Sequence, residues 1–243
     1  MAVYIGSARI DERGKISGGA AGDSKQTTVP DYKGEVSQQK FYVSSKGWVV
    51  IRPQNADIAL RIAAAMIVAC NNKNLGYDQN NRLGVIKYGT ASTVKTECDC
   101  SSLVRQCVRE ATGIDAGNFN TANEKTVLQK TGLFDVMDYV SGMTLYTGDI
   151  LVTKTKGHTV IVTSGAARNI ADKKTYYPIY SGNTVSIVAA LKAVGETDTS
   201  YAHRSKIAME NGIKNYSGTA AQNTTLLNLL KQGRLKRFIT ALQ

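Results

Sequence analysis

The segment from residue 97 to residue 108 constrains the fold more than any other part of the chain. Apolar residues follow Cys100 at intervals of three, four, seven and eight positions, and this spacing is the buried stripe of an amphipathic helix. They are Leu103, Val104, Cys107 and Val108. Asp99 is a favourable N-cap and Gly113 a favourable stop after the last turn. The sequence therefore predicts a helix that begins at Cys100 and packs one face on a core.

The position of Cys100 at the start of this helix allows several interpretations. The positive end of the helix dipole stabilises a thiolate, which makes Cys100 a candidate nucleophile. A lone buried cysteine is more often a packing residue. A zinc site from Cys98, Cys100 and Cys107 is a third interpretation, but the spacing lacks a Cys-x-x-Cys pair and the chain has only 2 histidines. The 4 cysteines cluster in the first half of the chain, so we expect free thiols rather than a disulfide framework.

A histidine downstream favours the chemical interpretation. Residues 147–153 and 158–163 read as strands around a turn at 155–157, which predicts an antiparallel hairpin. His158 opens the second strand directly after Gly157. Cysteine nucleophiles need a base within hydrogen-bond reach and a polar group that orients this base. A helix that begins with the thiol, beside a strand that carries the histidine, can provide such a pair.

Two further segments predict the core around this pair. Residues 41–43 and 48–51 flank a Ser-Ser-Lys-Gly turn and predict a hairpin whose Trp48 enters the core. Residues 56–71 are apolar nearly all round the helix, which indicates a central buried helix.

A capping-box spacing marks another helix. Thr121 and Glu124 stand three positions apart ahead of a short apolar pattern that Gly132 ends. We therefore predict a short helix here with Thr121 and Glu124 at its N-terminus.

Two polar segments are candidates for loops near a site. The glycine-rich residues 18–23 either approach another surface closely or stay disordered with the rest of the first forty residues. Residues 76–82 form a polar loop in which Tyr77 and Asp78 either line a site or serve ordinary turn chemistry.

The C-terminal part predicts a separate helical domain. The regular spacing of apolar residues ends between residues 164 and 174, which favours a domain boundary there. Three helix patterns with glycine stops follow, at residues 186–194, 200–210 and 219–233. We predict a first domain at 1–168, a linker at 169–176 and a small three-helix domain at 177–243.

Charge separates the two predicted domains. The net charge is +11, and the last 71 residues hold 10 Lys and Arg against 3 Asp and Glu. A basic module attracts polyanions such as nucleic acid, an anionic membrane face or a cell wall rich in teichoic acid.

No apolar run approaches the roughly 18 residues of a membrane span. The N-terminus also lacks the basic, apolar and cleavage regions of a secretory signal. We therefore expect a protein that is made in a cytoplasm and remains there unless something else releases it.

Three sequence blocks resemble the NlpC-type, papain-like cell-wall peptidases, whose corresponding blocks read D-C-S-G-L-V, G-D-L and H-V-G-I-Y. The blocks here are Asp99-Cys100-Ser101-Ser102-Leu103-Val104, Gly148-Asp149-Ile150-Leu151 and Gly157-His158-Thr159-Val160-Ile161-Val162. Ser102 stands where the family usually has glycine. Nearly the whole chain is similar to phage-encoded peptidoglycan hydrolases. Residues 211–231 resemble a cell-wall-binding module at the C-terminus of endolysins of Gram-positive hosts.

The resemblance implies an α+β fold, in which a papain-like (NlpC-type) domain with helices packed on an antiparallel sheet precedes a small three-helix domain. It implies that Cys100 attacks an amide carbonyl of the peptidoglycan stem peptide and that His158 acts first as base and then as acid. The third catalytic group of such enzymes falls near Asn169. Candidate substrate-binding residues are Tyr77, Asp78, Asp99, Ser101 and Asp23. No metal and no cofactor is implied.

As partners the resemblance implies peptidoglycan and anionic wall polymers, without nucleic acid and without membrane insertion. Such an enzyme acts on the wall after release from the host cytoplasm, as phage lysins are released through a holin. The sequence leaves open whether the muramoyl-L-alanine bond or a bond inside the stem peptide is cut. The alternative is a polyanion- or nucleic-acid-binding protein with a non-catalytic papain-like scaffold, although the tail lacks a basic stripe interleaved with aromatic residues.

Overall fold

A computed structural model describes residues 2–24, 34–168 and 176–238. The chain divides into two units, one of residues 1–54 and 59–168 and the other of residues 55–58 and 169–243. Apart from Tyr176, the predicted linker at 169–176 lies outside the described residues.

An antiparallel sheet of six strands forms the centre of the first unit. Its strands are β1 (Tyr4–Ala8), β2 (Val36–Lys40), β3 (Trp48–Pro53), β6 (Phe134–Asp138), β7 (Ile150–Thr153) and β8 (Thr159–Ser164). They lie in the order β2-β1-β8-β7-β3-β6. A separate parallel pair consists of β4 (Leu75–Tyr77) and β5 (Thr96–Cys98). The predicted α+β class with an antiparallel sheet is confirmed.

Four helices of the first unit are described: α1 (Ala56–Asn71), α2 (Gly84–Tyr88), α3 (Cys100–Thr112) and α4 (Glu124–Lys130). The predicted helices at 56–71 and from Cys100 are confirmed. At the start of α3, the Asp99 carboxylate accepts from the Ser102 N–H and the Ser102 hydroxyl accepts from the Asp99 N–H at 2.9 Å. This reciprocal cap satisfies two backbone donors that a glycine at position 102 would leave partly unpaired.

Of the two predicted β-hairpins, one is confirmed and the other is wrong. The hairpin that leads to His158 is confirmed, since β7 pairs antiparallel with β8. The predicted hairpin of residues 41–43 with 48–51 is wrong. β3 begins at Trp48 as expected, but it pairs with β6 and β7. Because successive residues of β3 are buried on both faces, the strand takes a central position between two strands that come from later in the chain.

The second unit contains three described helices, α5 (Ile187–Ala193), α6 (Tyr201–Glu210) and α7 (Ala220–Lys231). Ser186, Ser200 and Thr219 cap their N-termini through side-chain hydrogen bonds. The predicted trio of helices is therefore confirmed. Its core is built from Tyr177, Ile187, Ala190, Leu191, Ile207, Ala208, Tyr216, Leu226, Leu227, Leu230 and Leu235. Across the described residues of both units, no helix combines the length and the apolar character needed to cross a membrane.

The Gly148-Asp149 block has a structural explanation. Gly148 has φ +90°, and a Cβ there would lie 2.1 Å from the carbonyl oxygen of Ala59 in α1. The buried carboxylate of Asp149 pairs with Arg52 at 2.8 Å and accepts from the Tyr146 N–H at 2.9 Å. The block therefore fixes the start of β7 against α1.

Replacement of Gly148 by alanine should destabilise the protein more than the same change at Gly142. Gly142 also has positive φ, +83°, but nothing lies within 4 Å of a Cβ there. We expect Gly142→Ala to lower the free energy of unfolding by about 1 kcal/mol through backbone strain. Gly148→Ala should cost about 1–3 kcal/mol more, because backbone atoms of α1 must move. Urea unfolding of both variants measures the difference, and equal losses would contradict the close packing.

Candidate active site

The structure brings the sulfur of Cys100 against the first residue of β8. Cys100 is the first residue of α3 and is 7% exposed. The backbone N–H groups of Thr159 and Ser101 lie close enough to its sulfur to lower its pKa. Thr159 directly follows His158, so the helix N-terminus with the thiol and the strand with the histidine meet at this point.

The Cys100 side chain is a neutral thiol in this environment. Burial, together with the carboxyl groups of Asp99 and Glu124, raises the pKa of Cys100 to about 12, although the two N–H groups lower it. The helix dipole favours a thiolate at this position, and Cys100 as the nucleophile stays a prediction. Desolvation of the sulfur outweighs the dipole because the charged form would have to exist in a nearly dry pocket.

His158 is also neutral, and it contacts a residue of the N-terminal strand. Burial, together with the charge of Arg9, lowers the pKa of His158 to about 4. Its Nε2 lies 3.2 Å from the hydroxyl oxygen of Ser7, which is 1% exposed and belongs to β1.

The third polar group was predicted near Asn169, which lies outside the described residues. Ser7 is the side chain that the described residues offer to His158, and the sequence analysis missed it. β1 lies between β2 and β8 in the sheet. A strand from the other end of the chain thus reaches the histidine, and no local pattern around Ser7 indicates this.

Asp99 and Ser101 flank Cys100 and are held by an arginine that the sequence analysis also missed. Arg82 donates to the Asp99 carboxylate at 2.6 Å and to the Ser101 hydroxyl at 2.9 Å. The Ser101 hydroxyl in turn donates to Asp99 at 3.1 Å. These two candidate substrate-binding residues therefore lie beside the thiol within an internal hydrogen-bond network.

Tyr77 lies near Cys100, whereas Asp78 has turn contacts. Burial raises the pKa of Tyr77, and the nearby Cys100 raises it further. The Tyr77 hydroxyl accepts from Gln79 Nε2 at 2.9 Å, which leaves its own proton free to donate. The Asp78 carboxylate accepts backbone N–H groups of Gly18 and Asn80, both at 2.6 Å, and so ties the N-terminal loop to this turn.

The Asp23 carboxylate contacts Glu35 and Lys73 rather than Cys100 or His158. It accepts from the Glu35 N–H at 2.7 Å and from Lys73 Nζ at 2.9 Å. The Glu35 carboxylate accepts a hydrogen bond from the Tyr77 N–H at 2.5 Å. Glu35 therefore contacts the backbone of Tyr77, which lies near Cys100. Burial raises the pKa of Glu35 to about 7, and the hydrogen-bonded Glu12 raises it as well.

Cys70, Cys98, Cys100 and Cys107 are free thiols. Within residues 2–24, 34–168 and 176–238, no group of three or more His, Cys, Asp and Glu side chains is arranged to hold a metal ion.

Comparison with known proteins identifies the family of the first unit. The endolysin-like domain family matches residues 5–169, which is more than half of the chain, and the chain therefore belongs to this family. The match begins within β1, so the strand that carries Ser7 is part of the family domain.

Two curated relatives come from Listeria phages. The chain is 43% identical over 72 residues to an L-alanyl-D-glutamate peptidase of Listeria phage A118, a match that covers 30% of this chain and 23% of that protein. It is 59% identical over 39 residues to an endolysin of Listeria phage A511, with coverage of 16% and 11%. The chain thus spans less than a quarter of the length of either relative. No solved structure matches the chain.

The neutral state of Cys100 predicts how the thiol reacts with iodoacetamide. Because the thiolate fraction below the pKa rises about tenfold per pH unit, the alkylation rate of Cys100 should rise steadily from pH 6 to pH 9. Mass spectrometry of the peptide that contains Cys100 measures this rate, with Cys100→Ala as the control for peptide assignment. A rate that is flat between pH 6 and pH 8 would instead indicate a preformed thiolate-imidazolium pair.

Proposed function

We propose that this chain is an endolysin whose first unit, a papain-like (NlpC-type) domain, hydrolyses an amide bond of the peptidoglycan stem peptide. Cys100 is the nucleophile and His158 the general base. The packing of α3, which begins with Cys100, against β8, which begins directly after His158, is the observation that carries this proposal. Membership in the endolysin-like domain family supports the substrate class.

The neutral thiol and the neutral imidazole fit general-base catalysis. As the Cys100 sulfur attacks the amide carbonyl, its proton passes to Nδ1 of His158. The imidazolium formed then donates a proton to the departing amine, and a thioester remains on Cys100. A water molecule, deprotonated by His158, attacks this thioester and releases the carboxylic acid.

Ser7 acts as the third group of this proposal in place of Asn169. When His158 takes up the proton, its Nε2–H donates to the Ser7 hydroxyl, which keeps the ring oriented towards Cys100. A serine is a weaker acceptor than a carboxylate. It therefore orients the ring without raising the pKa of His158 towards neutrality.

The helix N-terminus provides the first oxyanion donor. Backbone N–H groups of the first helical turn lack partners within the helix, and that of Cys100 lies beside the tetrahedral carbon. Tyr77, Asp99 and Ser101 surround the thiol and are the candidates to hold the stem peptide, while Asp78 and Asp23 shape the loops next to it.

The second unit is proposed to bind the wall. Its described residues include exposed lysines at positions 192, 206, 214 and 231 around an apolar core. Such a surface fits anionic wall polymers better than a specific small ligand. The enzyme would reach the wall from the host cytoplasm after release through a holin.

Cys100→Ala should abolish lysis of Gram-positive cells, measured as the loss of turbidity. His158→Ala should lower the lysis rate about 10²–10⁴-fold, the range for a lost general base. Ser7→Ala should lower it about tenfold, which corresponds to ~1.4 kcal/mol in the barrier. Ser92→Ala is the matched control, since Ser92 is buried but bonds the Val94 carbonyl. Lysis by Cys100→Ala at the wild-type rate would exclude the mechanism.

Mass spectrometry of the digested muropeptides identifies the bond in the same experiment. A free N-terminal L-alanine separated from the glycan indicates an amidase, and a new N-terminus within the stem indicates an endopeptidase. Intact muropeptides would contradict the proposed reaction.

Replacing exposed lysines of the second unit should weaken binding to purified cell walls. Neutralising Lys192, Lys206, Lys214 and Lys231 with glutamine removes four positive charges from the second unit of the Cys100→Ala protein. We expect a several-fold loss in the fraction that sediments with walls at about 0.15 M salt, where exposed charges act over roughly 8 Å. The control has the same change at Lys87, Lys95, Lys125 and Lys130, which are exposed in the first unit. Equal loss in both would indicate attraction by net charge alone.

A further inference from the structure

Glu124 is a buried acid whose position the helix does not explain. It is the first residue of α4, where an acid would normally be exposed near the positive end of the helix. Instead its side chain is 0% exposed. The predicted capping box is wrong, because Asn123 is the N-cap residue and the Glu124 carboxyl turns into the protein. Burial raises the pKa of Glu124 to about 8, so the neutral acid predominates at pH 7.

The contacts of Glu124 lead to the candidate active site. The Thr159 hydroxyl donates to Glu124 Oε1 at 2.7 Å, and the backbone N–H of the same threonine lies close enough to the Cys100 sulfur to lower its pKa. Two residues earlier, the Gly157 N–H donates to the Thr121 hydroxyl at 3.1 Å. The segment that leads into α4 therefore holds the chain on both sides of His158.

The other carboxyl oxygen, Glu124 Oε2, is buried and has no hydrogen-bond partner among the described residues. A buried ionised carboxylate with an unpaired oxygen costs more free energy than a protonated carboxyl in the same place. The geometry thus favours an acid that stays neutral while the site works.

We propose that Glu124 is a positioning residue of the active site, which acts through Thr159 to hold the Thr159 N–H on the Cys100 sulfur and His158 beside it. The inference rests on the proposed function, because the positioned groups are the proposed nucleophile and base. Ionisation of Glu124 would introduce a negative charge next to Asp99 and Cys100 and oppose formation of the thiolate.

The charges around Glu124 come from several elements. Asp99 and Cys100 lie near it at the N-terminus of α3, and the Thr159 hydroxyl reaches it from β8. β3 and β6 pack against α4. Their charged residues have partners of their own, which are Arg52 with Asp149, Asp135 with Gln54, and Asp138 with Lys154.

The test compares Cys100 alkylation by iodoacetamide in Glu124→Gln and wild type from pH 6 to pH 9.5. Glutamine can accept from Thr159 but never ionises. We expect a rate ratio of variant to wild type near one at pH 6, which rises several-fold with a midpoint near pH 8. Glu110→Gln, at the other end of α3, is the matched control and should give a flat ratio. A flat ratio for Glu124→Gln would overturn the inference.

Thermal unfolding gives an independent readout. The folded-state pKa of Glu124 lies above its ordinary value of 4.5. As the pH rises, the unfolded chain therefore loses the Glu124 proton at a lower pH than the folded protein does. This contribution to stability is fully present below about pH 4.5 and is lost as the pH rises through 8. Glu124→Gln should lack it, so that its Tm falls less than that of wild type over this range. An identical fall in both proteins would contradict the assigned protonation.

A second pair of variants keeps the inference testable if Glu124→Gln does not fold. Thr159→Val removes the hydroxyl at nearly constant volume and should lower the lysis rate at least fivefold, whereas Thr159→Ser keeps the hydroxyl and should restore most of it. Lysis by Thr159→Val at the wild-type rate would overturn the inference. The alkylation assay needs no substrate. A pH-dependent ratio without any wall lysis would therefore reject the proposed function alone, and Cys100-dependent lysis with a flat ratio would reject Glu124 alone.

Discussion

The antiparallel pairing of β1 with β8 determines what surrounds His158. In the register of this pair, Ile5 lies opposite Val162 and Gly6 opposite Ile161, which brings the next residue, Ser7, to the ring of His158. Gly6 allows β1 to lie this close to α1, because a Cβ at this position would lie 2.6 Å from Met66 Cγ of α1. The orientation of the His158 ring thus depends on a strand from the far end of the chain and on a glycine that lets this strand lie close to α1.

Exclusion of water sets the protonation states in this site. The thiol, the imidazole and the Glu124 carboxyl are all driven towards their neutral forms, because burial is the largest influence on each pKa. A helix N-terminus stabilises an anion by a fraction of the cost of taking a thiolate out of water. In the proposed mechanism the dipole therefore helps only when charge develops on the reacting groups, after His158 accepts the proton.

The helices could be predicted from the sequence because their determinants are local. Asp99 and Gly113 mark the ends of α3 within the chain itself, and the same holds for the capped helices of the second unit. Ser7 and Glu124 could not be predicted, since their partners lie 151 and 35 residues away along the chain. The spacing of Thr121 and Glu124 fits a capping box equally well, and only the packing of α4 on β3 and β6 and the hydrogen bond from Thr159 show that the acid turns inward.

Residues within a shared sequence block differ in what they do. In the block around Cys100, the thiol faces β8, while Asp99 and Ser102 cap the helix that presents it. In the glycine-aspartate block, Gly148 and Asp149 fix β7 against α1 and Arg52. The carboxylates of Asp78 and Asp23 likewise accept hydrogen bonds from backbone N–H groups and so attach the N-terminal loop. The family blocks therefore predict more acidic groups for the candidate active site than take part in it, because most of the carboxylates near it hold the backbone in place.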